Sequence, residues 1–283
     1  MTEPKTPTPQ VERRIVVDRP PVVARGLERV LVTNDDGFDA PGIRVLAQAL
    51  AREFDVTVAA PERDRSGAGT GIGRVEAATG IPMRRVDIGV DRAYALDGPP
   101  GLAVMAAALG AFGDAFPLVV SGINAGRNTG QSVIHSGTVG AALTARTFGA
   151  HGLAVSLDPS EPWHWETAAG IAVATARWIT SRERKPVAIN LNVPGVELDQ
   201  VRGLRSARLD QFGYFRVAVA DESGEKLQLE LAAEGEPTFA EGSDSWLLRQ
   251  QYATITMLGH LFGSDGLLPD DLAEIWQPVA TGS

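Results

Sequence analysis

The sequence predicts an α/β fold: a mostly parallel sheet flanked by helices, with an antiparallel β-hairpin appended towards the C-terminus. Two patterns carry this prediction. Short apolar runs typical of strands buried on both faces alternate with longer segments whose apolar residues recur at helical spacing. Strands that alternate with helices favour a parallel sheet. After about residue 201 the pattern changes, and two β-prone runs flank a short polar turn, which predicts the hairpin.

The first strand and helix introduce the repeating unit. Arg29–Thr33 is a short run rich in β-branched residues, and the apolar residues between Ile43 and Phe54 that follow it fall at helical spacing. The further predicted strands are Val56–Ala60, Leu118–Val120, Leu153–Leu157 and Val187–Asn190, the further helices are Leu102–Leu109, Val139–Phe148 and Glu166–Thr180, and the hairpin strands are Tyr214–Ala220 and Lys226–Leu231.

Composition divides the chain into four regions. Residues 1–27 form a Pro-rich leader without the apolar run of a signal peptide, and residues 28–200 hold the predicted parallel sheet. Residues 201–262 are β-rich, and residues 263–283 form a C-terminal tail. We therefore expect one large hydrophobic core over residues 28–200, a smaller β-rich region and two peripheral segments.

Charge and cysteine content narrow the function classes. The 283 residues include no cysteine, which excludes disulfides, thiolate metal sites and cysteine nucleophiles. A formal net charge of -9 argues against a protein that binds nucleic-acid polymers, because that affinity comes largely from Lys and Arg. No apolar stretch is long enough to span a membrane. We expect a cytoplasmic protein with no membrane partner.

Polar loops follow three of the predicted strands and suggest a metal site. Asp35 and Asp36 come directly after the first strand, Ser66 follows the second, and Asn124 follows the strand that begins at Leu118. In open α/β sheets, ligands bind beyond the carboxyl ends of the strands, so these four side chains converge if the strands are neighbours. Oxygen-only ligands suit one hard divalent cation, Mg²⁺ or Mn²⁺, with water completing its shell.

A phosphate site is predicted beside the cation. Ser136 or Thr138 can cap the helix that begins near Val139, and Gly137 leaves room for an anion at the helix start. Asn128 lies in the preceding glycine-rich loop, whose backbone amides can also face an anion.

Each of these features also has an ordinary structural interpretation. Asp-Asp-Gly is a common turn sequence, and Ser-Gly-Thr is a common helix cap. Arg63 and Arg65 fit solvated loop charges, and His135 fits a packed or hydrogen-bonded side chain as well as a catalytic one. The prediction of a site therefore depends on several polar loops falling at successive strand ends.

Five motifs in order, VTNDDG, DAPGI, APERDRSGA, VVSGINAGRNTG and HSGTVGAA, resemble the SurE family of metal-dependent 5'/3'-nucleotidases. The resemblance implies a Rossmann-like catalytic domain and a divalent cation held by the residues that match Asp35, Asp36, Ser66 and Asn124. It also implies hydrolysis of nucleoside monophosphates, and a homodimer or homotetramer in which the hairpin region is exchanged between subunits. Residues 201–262 would thus form an oligomerisation region.

Two segments depart from the family pattern. Gly67–Gly73 is richer in glycine than is usual, which leaves contacts from that loop to substrate open, and Asp97–Gly101 replaces a Gly-Thr-Pro motif at the start of a helix. Neither departure removes a predicted metal ligand.

The predicted mechanism is hydrolysis by a metal-activated water. Asp35 or Asp36 would orient this water or accept its proton, while Asn128, Ser136, Gly137 and Thr138 would hold the phosphate. Two alternatives remain at this point: a nucleotide-binding protein without catalysis, and a metal-dependent nucleotide-sugar transferase.

Overall fold

The computed structural model describes residues 28–74, 80–181, 185–211, 217–221, 228–231 and 238–259. The predicted leader, the predicted C-terminal tail and the turn of the predicted hairpin lie outside these residues.

Within the described residues, a nine-stranded mixed sheet forms the centre of the fold, and two further strands form a separate hairpin. In chain order the strands are β1 (Arg29–Thr33), β2 (Asp55–Pro61), β3 (Met83–Arg85), β4 (Ala93–Leu96), β5 (Leu118–Ala125), β6 (His151–Leu157), β7 (Ala188–Val193), β8 (Leu204–Ser206), β9 (Val217–Asp221), β10 (Gln228–Leu231) and β11 (Ala253–Leu258). The order across the central sheet is β3-β4-β2-β1-β5-β6-β7-β11-β8. The predicted strands are confirmed within the described residues, whereas four strands of the central sheet, β3, β4, β8 and β11, were not predicted.

The sheet has a topological switch point between β1 and β5. From β1 the chain proceeds to β2 and β4 on one side, and it later returns to place β5, β6 and β7 on the other. These six strands pair with one another in parallel, whereas the next strands outward, β3 beside β4 and β11 beside β7, are antiparallel to them. Successive helices diverge at such a point and leave a crevice at the carboxyl ends of the two central strands. The polar residues that follow β1 and β5 therefore share one crevice.

Five α-helices lie among the described residues, and the first four cover the sheet. They are α1 (Pro41–Leu50), α2 (Pro100–Ala108), α3 (Gly137–Thr147), α4 (Trp165–Thr180) and α5 (Asp244–Arg249). The predicted apolar face of α1 is buried at Ile43, Leu46 and Leu50, but the helix ends at Leu50, and Phe54 packs into the core from the loop beyond it. Pro100 opens α2 at the position where proline suits a helix. The unusual Asp97–Gly101 sequence thus starts the helix at Pro100.

Alternate residues of the strands pack on opposite faces. Val30 and Val32 of β1 belong to the larger apolar cluster, which includes α1 and α4, whereas Leu31 packs with α2 and α3 in a second cluster. This period of two is the expected side-chain alternation of a strand covered on both faces. Asp35 lies four residues after Leu31, and its side chain reaches the start of α3 on the same side of the sheet.

The C-terminal part of the described chain contributes both to the hairpin and to the central sheet. β9 and β10 pair in antiparallel fashion, which confirms the predicted hairpin. β11 pairs with β7 in antiparallel fashion and carries β8 in parallel on its other side. The described residues include no helix that is long and apolar enough to cross a lipid bilayer.

Candidate metal and phosphate site

Asp35 lies at the centre of the polar crevice. It follows β1, is 3% exposed, and its two carboxylate oxygens have different partners on α3. Oδ2 accepts a hydrogen bond of 3.1 Å from the backbone amide of Gly137, and Oδ1 accepts one from the hydroxyl of Thr138. Burial raises the pKa of Asp35 above its ordinary value, although these hydrogen bonds oppose the rise. The first turn of α3 thus holds this carboxylate in one orientation.

Asp36 is partly buried and has an oxygen without a protein partner. Its Oδ2 atom is inaccessible to solvent and accepts no hydrogen bond. Burial, and then the neighbouring charges of Asp35 and Asp64, raise the pKa of Asp36 to about 7, while the backbone amide of Ala125 lowers it. A buried carboxylate oxygen with no donor is costly unless a proton or a cation satisfies it. A proton or a cation bound at Oδ2 of Asp36 would offset this cost.

Asn124 is joined to Asp35 through one hydroxyl. The Oγ1 atom of Thr138 lies 3.3 Å from Oδ1 of Asn124 and also contacts the Asp35 carboxylate. The Asn124 amide nitrogen donates to the carbonyl of Gly126, so its amide oxygen is directed to the Thr138 side. Thr138 is fully buried and holds the predicted ligands at the ends of β1 and β5 in one cluster.

Ser66 lies on the loop after β2, which is tied to the end of β1. The amide of Arg65 donates to the carbonyl of Asp35 over 2.7 Å, and the amide of Ser66 donates to the carboxylate of Asp64 over 2.7 Å. The Ser66 side chain is exposed. The structure thus places this loop beside the two aspartates, and the role of the Ser66 hydroxyl as a ligand stays a prediction.

The donors at this crevice fit a hard divalent cation. In the described part of the chain, no three His, Cys, Asp or Glu side chains form a group that could hold a metal, so Asp35 and Asp36 need donors of other kinds to complete a metal shell. Neutral oxygens from Asn124, Ser66 and water would complete the shell, which is the ligand chemistry of Mg²⁺ or Mn²⁺. The unpartnered Oδ2 of Asp36 is the observation that supports this fit.

The start of α3 is occupied by protein acceptors. Ser136 caps the helix, and its side-chain oxygen accepts from the amide of Val139 over 3.2 Å. The amides of Gly137 and Thr138 both interact with Asp35. The anion at this helix start is thus the Asp35 carboxylate. Direct contacts of Gly137 and Thr138 with a substrate phosphate stay predictions, and Ser136 keeps its hydroxyl proton available for donation.

Asn128 is held by the neighbouring strands. Its side-chain amide donates to the hydroxyl of Ser156 over 2.8 Å, and its backbone carbonyl accepts from the side-chain amides of Asn190 and Asn192 over 2.8 and 2.9 Å. Its backbone amide donates to Asn192 over 2.8 Å. The loop after β5 is therefore anchored on β6 and β7, and one proton of the Asn128 side-chain amide remains for a ligand.

The glycine-rich segment after Ser66 packs tightly against the helices. A Cβ on Gly140 of α3 would lie 2.1 Å from the carbonyl oxygen of Gly69, and one on Gly101 would lie 3.1 Å from that of Gly71. The amide of Gly69 also donates to the carbonyl of His135 over 3.1 Å. These contacts account for glycine at positions 140 and 101 of the helices. Within the segment, Gly67, Gly69 and Gly73 have φ values of 81°, 54° and 69°, a backbone conformation that favours glycine.

Sequence patterns did not predict several groups around the site. Thr138 was predicted to bind phosphate, and its contact with Asp35 was not foreseen. Arg63 and Arg65, interpreted as solvated loop charges, both point at Asp97, with nitrogen to oxygen distances of 3.6 and 2.5 Å. The imidazole of His135 is exposed. The asparagines of β7 fall at alternate positions of an apolar strand, and that alternation is the signal that would have revealed them.

Comparisons with known proteins agree with these features. The family described as Survival protein SurE matches residues 30–215. A 5'-nucleotidase SurE of Alkalilimnicola ehrlichii is 37% identical over 231 residues, which are 80% of this chain and 87% of that protein. A 5'/3'-nucleotidase SurE of Serratia proteamaculans is 41% identical over 184 residues, 64% of this chain and 69% of that protein.

A solved structure extends the agreement to three dimensions. The crystal structure of the SurE protein from Aquifex aeolicus superposes with a TM-score of 0.69 at 28% identity, covering 84% of this chain and 95% of that one. The resemblance of the five sequence motifs is thereby confirmed along most of the chain. The protein belongs to the SurE family.

Proposed function

We propose that this protein is a metal-dependent nucleotidase that hydrolyses nucleoside 5'- and 3'-monophosphates to a nucleoside and phosphate. The observation that carries the proposal is the buried, unpartnered Oδ2 of Asp36 beside the fixed carboxylate of Asp35. Relatives over most of this chain are named 5'-nucleotidase or 5'/3'-nucleotidase SurE, and nucleotidases of this family depend on a metal. The enzyme is a phosphoric monoester hydrolase.

The metal site is proposed to consist of Asp35, Asp36, Ser66 and Asn124, with one Mg²⁺ or Mn²⁺ ion. When bound, the cation supplies charge neutralisation for phosphoryl oxygens and makes water more acidic. The contacts of Asp35 and Asn124 with Thr138 support these two residues as ligands. The unpartnered Oδ2 of Asp36 supports Asp36 as a third. For Ser66, the support is the position of its loop against Asp35.

The two aspartates have different tasks in this proposal. Both oxygens of Asp35 accept hydrogen bonds from α3, so this carboxylate serves as a rigid ligand. Asp36 has an oxygen without a protein partner, so it can bind the cation and, as an ionised carboxylate, accept a hydrogen bond or a proton from a water beside the cation. We therefore assign to Asp36 the orientation of the attacking water and the acceptance of its proton. The water oxygen forms a bond to phosphorus as the ester bond to the ribose oxygen breaks, and the departing ribose oxygen takes up a proton from solvent.

Phosphate binding is proposed for Asn128, Ser136, Gly137 and Thr138. Among these four residues, the hydroxyl of Ser136 and the second side-chain amide proton of Asn128 are donors without a protein acceptor. These donors would hydrogen-bond only to the phosphoryl group. We therefore expect the enzyme to discriminate weakly among nucleotide bases and to act on several monophosphates.

Phosphate release tests the function directly. The purified protein is incubated with a panel of 5'- and 3'-nucleoside monophosphates, a sugar phosphate and an aryl phosphate, each with Mn²⁺, with Mg²⁺ and with EDTA. We expect release from several nucleotides that EDTA stops and metal restores. Release in EDTA would overturn the metal mechanism. Nucleotide binding without release would favour a binding protein, and transfer to an added sugar acceptor would favour a nucleotide-sugar transferase.

Assembly into a homodimer or homotetramer through residues 201–262 is part of the proposal. β9 and β10 form a two-stranded sheet of their own, and a two-stranded ribbon is at best marginally stable in isolation. Light scattering at micromolar concentration is expected to give the mass of a dimer or tetramer, and a strictly monomeric mass would contradict this part. The cytoplasmic location stays a prediction that fractionation of expressing cells tests.

A further inference from the structure

A buried carboxylate outside the metal cluster contacts the loop that carries Asn128. Asp244 is the first residue of α5 and is fully buried. Its Oδ2 accepts from the backbone amide of Gly130 over 2.9 Å, and its Oδ1 accepts from the amides of Asp210 and Ser245 over 2.9 and 2.8 Å. One side chain thus joins three separate backbone segments.

The contact with Gly130 lies between the two proposed phosphate-binding elements. Asn128 is two residues before Gly130, and the 3-10 helix Gln131–His135 begins directly after it and leads into Ser136. At the first end of this loop, the backbone carbonyl of Asn128 is held by the side-chain amides of Asn190 and Asn192 on β7. The second end of this loop is held by the Asp244 carboxylate at Gly130 and by the carbonyl of Asp210, which accepts from the amide of Gln131 over 3.1 Å.

The three contacts favour an ionised carboxylate at Asp244, whereas burial raises the pKa of this side chain. All three partners are backbone N–H groups, which only donate, and an ionised carboxylate only accepts. An asparagine has one accepting oxygen and two donor protons in the same space. If that oxygen stays with Asp210 and Ser245, which share Oδ1, the new NH₂ group faces the N–H of Gly130 and repels it.

We propose that Asp244 is a positioning residue for the phosphate-binding loop, and that it holds Asn128 and the approach to Ser136 where they engage the phosphoryl group. This inference rests on the proposed function, because it assigns a role within the same site. It adds a residue from α5, which lies beyond the 30–215 segment that matches the family.

Asp244→Asn is the test, and Asp210→Asn is its matched control. Asp210 is buried in the same network, and its carboxylate accepts from the amide of Ala240 over 2.9 Å. Its bond to the loop, from the amide of Gln131 over 3.1 Å, is to the backbone carbonyl, which the substitution leaves in place. We expect Asp244→Asn to raise KM for 5'-AMP about tenfold, with kcat changed less than about threefold and Mn²⁺ affinity less than about twofold. Asp210→Asn should lower the melting temperature while it leaves KM within about twofold.

Three results would overturn the inference: an unchanged KM in folded Asp244→Asn, an equal rise in KM for both variants, or a parallel loss of Mn²⁺ affinity. If Asp244→Asn fails to fold, the wild-type protein decides the question by NMR. The Gly130 amide resonance should then shift when inorganic phosphate is added in the presence of Mg²⁺, and an unmoved resonance at saturation would refute the role. If the wild type releases no phosphate, the proposed function fails, and this phosphate titration still decides the inference.

Discussion

The backbone amide of Gly137 lies 3.1 Å from Oδ2 of Asp35, although 102 residues separate the two in sequence. This bond attaches the start of α3 to the end of β1 at the switch point of the sheet. A Cβ on Gly137 would lie 2.8 Å from both Cβ and Oδ2 of Asp35, closer than real Cβ atoms approach other atoms. Glycine at position 137 thus lets the helix approach the carboxylate and donate to it.

Gly137→Ala should displace Asp35 and weaken metal binding. The added methyl group meets the Asp35 side chain, so either the carboxylate or the helix start must shift, at a cost of about 1–3 kcal/mol. We expect Mn²⁺ affinity, measured by titration calorimetry, to fall at least about tenfold. Gly170→Ala on α4 is the control, because nothing lies within 4 Å of its added Cβ and it should raise stability by about 0.5–1 kcal/mol. Unchanged affinity in Gly137→Ala would contradict the assignment of Asp35.

Thr138→Val should separate the role of the hydroxyl from that of side-chain volume. Valine has nearly the same shape but cannot donate to Asp35 or contact Asn124, so both predicted ligands lose the group that orients them. We expect metal affinity to fall about 10–100-fold and stability to fall by about 1–3 kcal/mol.

The matched control is Thr175→Val, since the Thr175 hydroxyl is also buried but donates to the carbonyl of Ile171 within α4. Its metal affinity should equal that of the wild type. A similar loss of affinity in both variants would show that the effect of Thr138→Val is a general one on the fold.

Asp36→Asn should remove most of the turnover while the fold persists. The change is nearly isosteric, but it abolishes the free carboxylate oxygen and the group that we assign as proton acceptor. We expect kcat for 5'-AMP to fall by about 100-fold or more, with circular dichroism unchanged. A folded variant with wild-type turnover in limiting Mn²⁺ would remove Asp36 from the site.

Protonation of Asp36 should make the metal-free protein more stable as the pH falls from about 8 to 5. The pKa of Asp36 in the folded state is about 7, above its ordinary value, so the folded state binds this proton more tightly than the unfolded state does. The stabilisation that protonated Asp36 gives the folded state is therefore complete below the ordinary pKa of aspartate, and it is lost as the pH rises through about 7. The raised pKa of Asp35 acts in the same direction.

Chemical denaturation in EDTA at several pH values measures this effect. The free energy of unfolding of the wild type, minus that of Asp36→Asn, should increase by about 2–4 kcal/mol between pH 8 and pH 5. Saturating Mg²⁺ should reduce this dependence, because the cation satisfies the same oxygen that the proton satisfies. A difference that stays constant across this range would mean that Asp36 has an ordinary pKa in the folded protein.

Some elements of the fold could be predicted from local sequence alone. Arg29–Thr33 is a strand with the predicted bounds, and α4 begins within one residue of the prediction, because apolar periodicity is a property of neighbouring residues. The position of Asp35 and Asp36 also followed from sequence, since residues after a parallel strand lie at the carboxyl edge of the sheet. The strand that begins at Leu118 runs to Ala125, five residues beyond the prediction, because β6 pairs with polar Asn124 as well as with apolar residues.

The sequence by itself determined the kind of fold, the acidic pair at a strand end and the oxygen chemistry of the predicted ligands. Only the tertiary structure decided which partners those groups have. The bonds from Gly137 and Thr138 to Asp35, and from Gly130 to Asp244, join residues that are 102, 103 and 114 positions apart. Periodicity and propensity act over a few residues, whereas these contacts depend on how α3 and α5 pack around the sheet. Burial then sets the pKa of Asp36, because its surroundings are supplied by other segments of the chain.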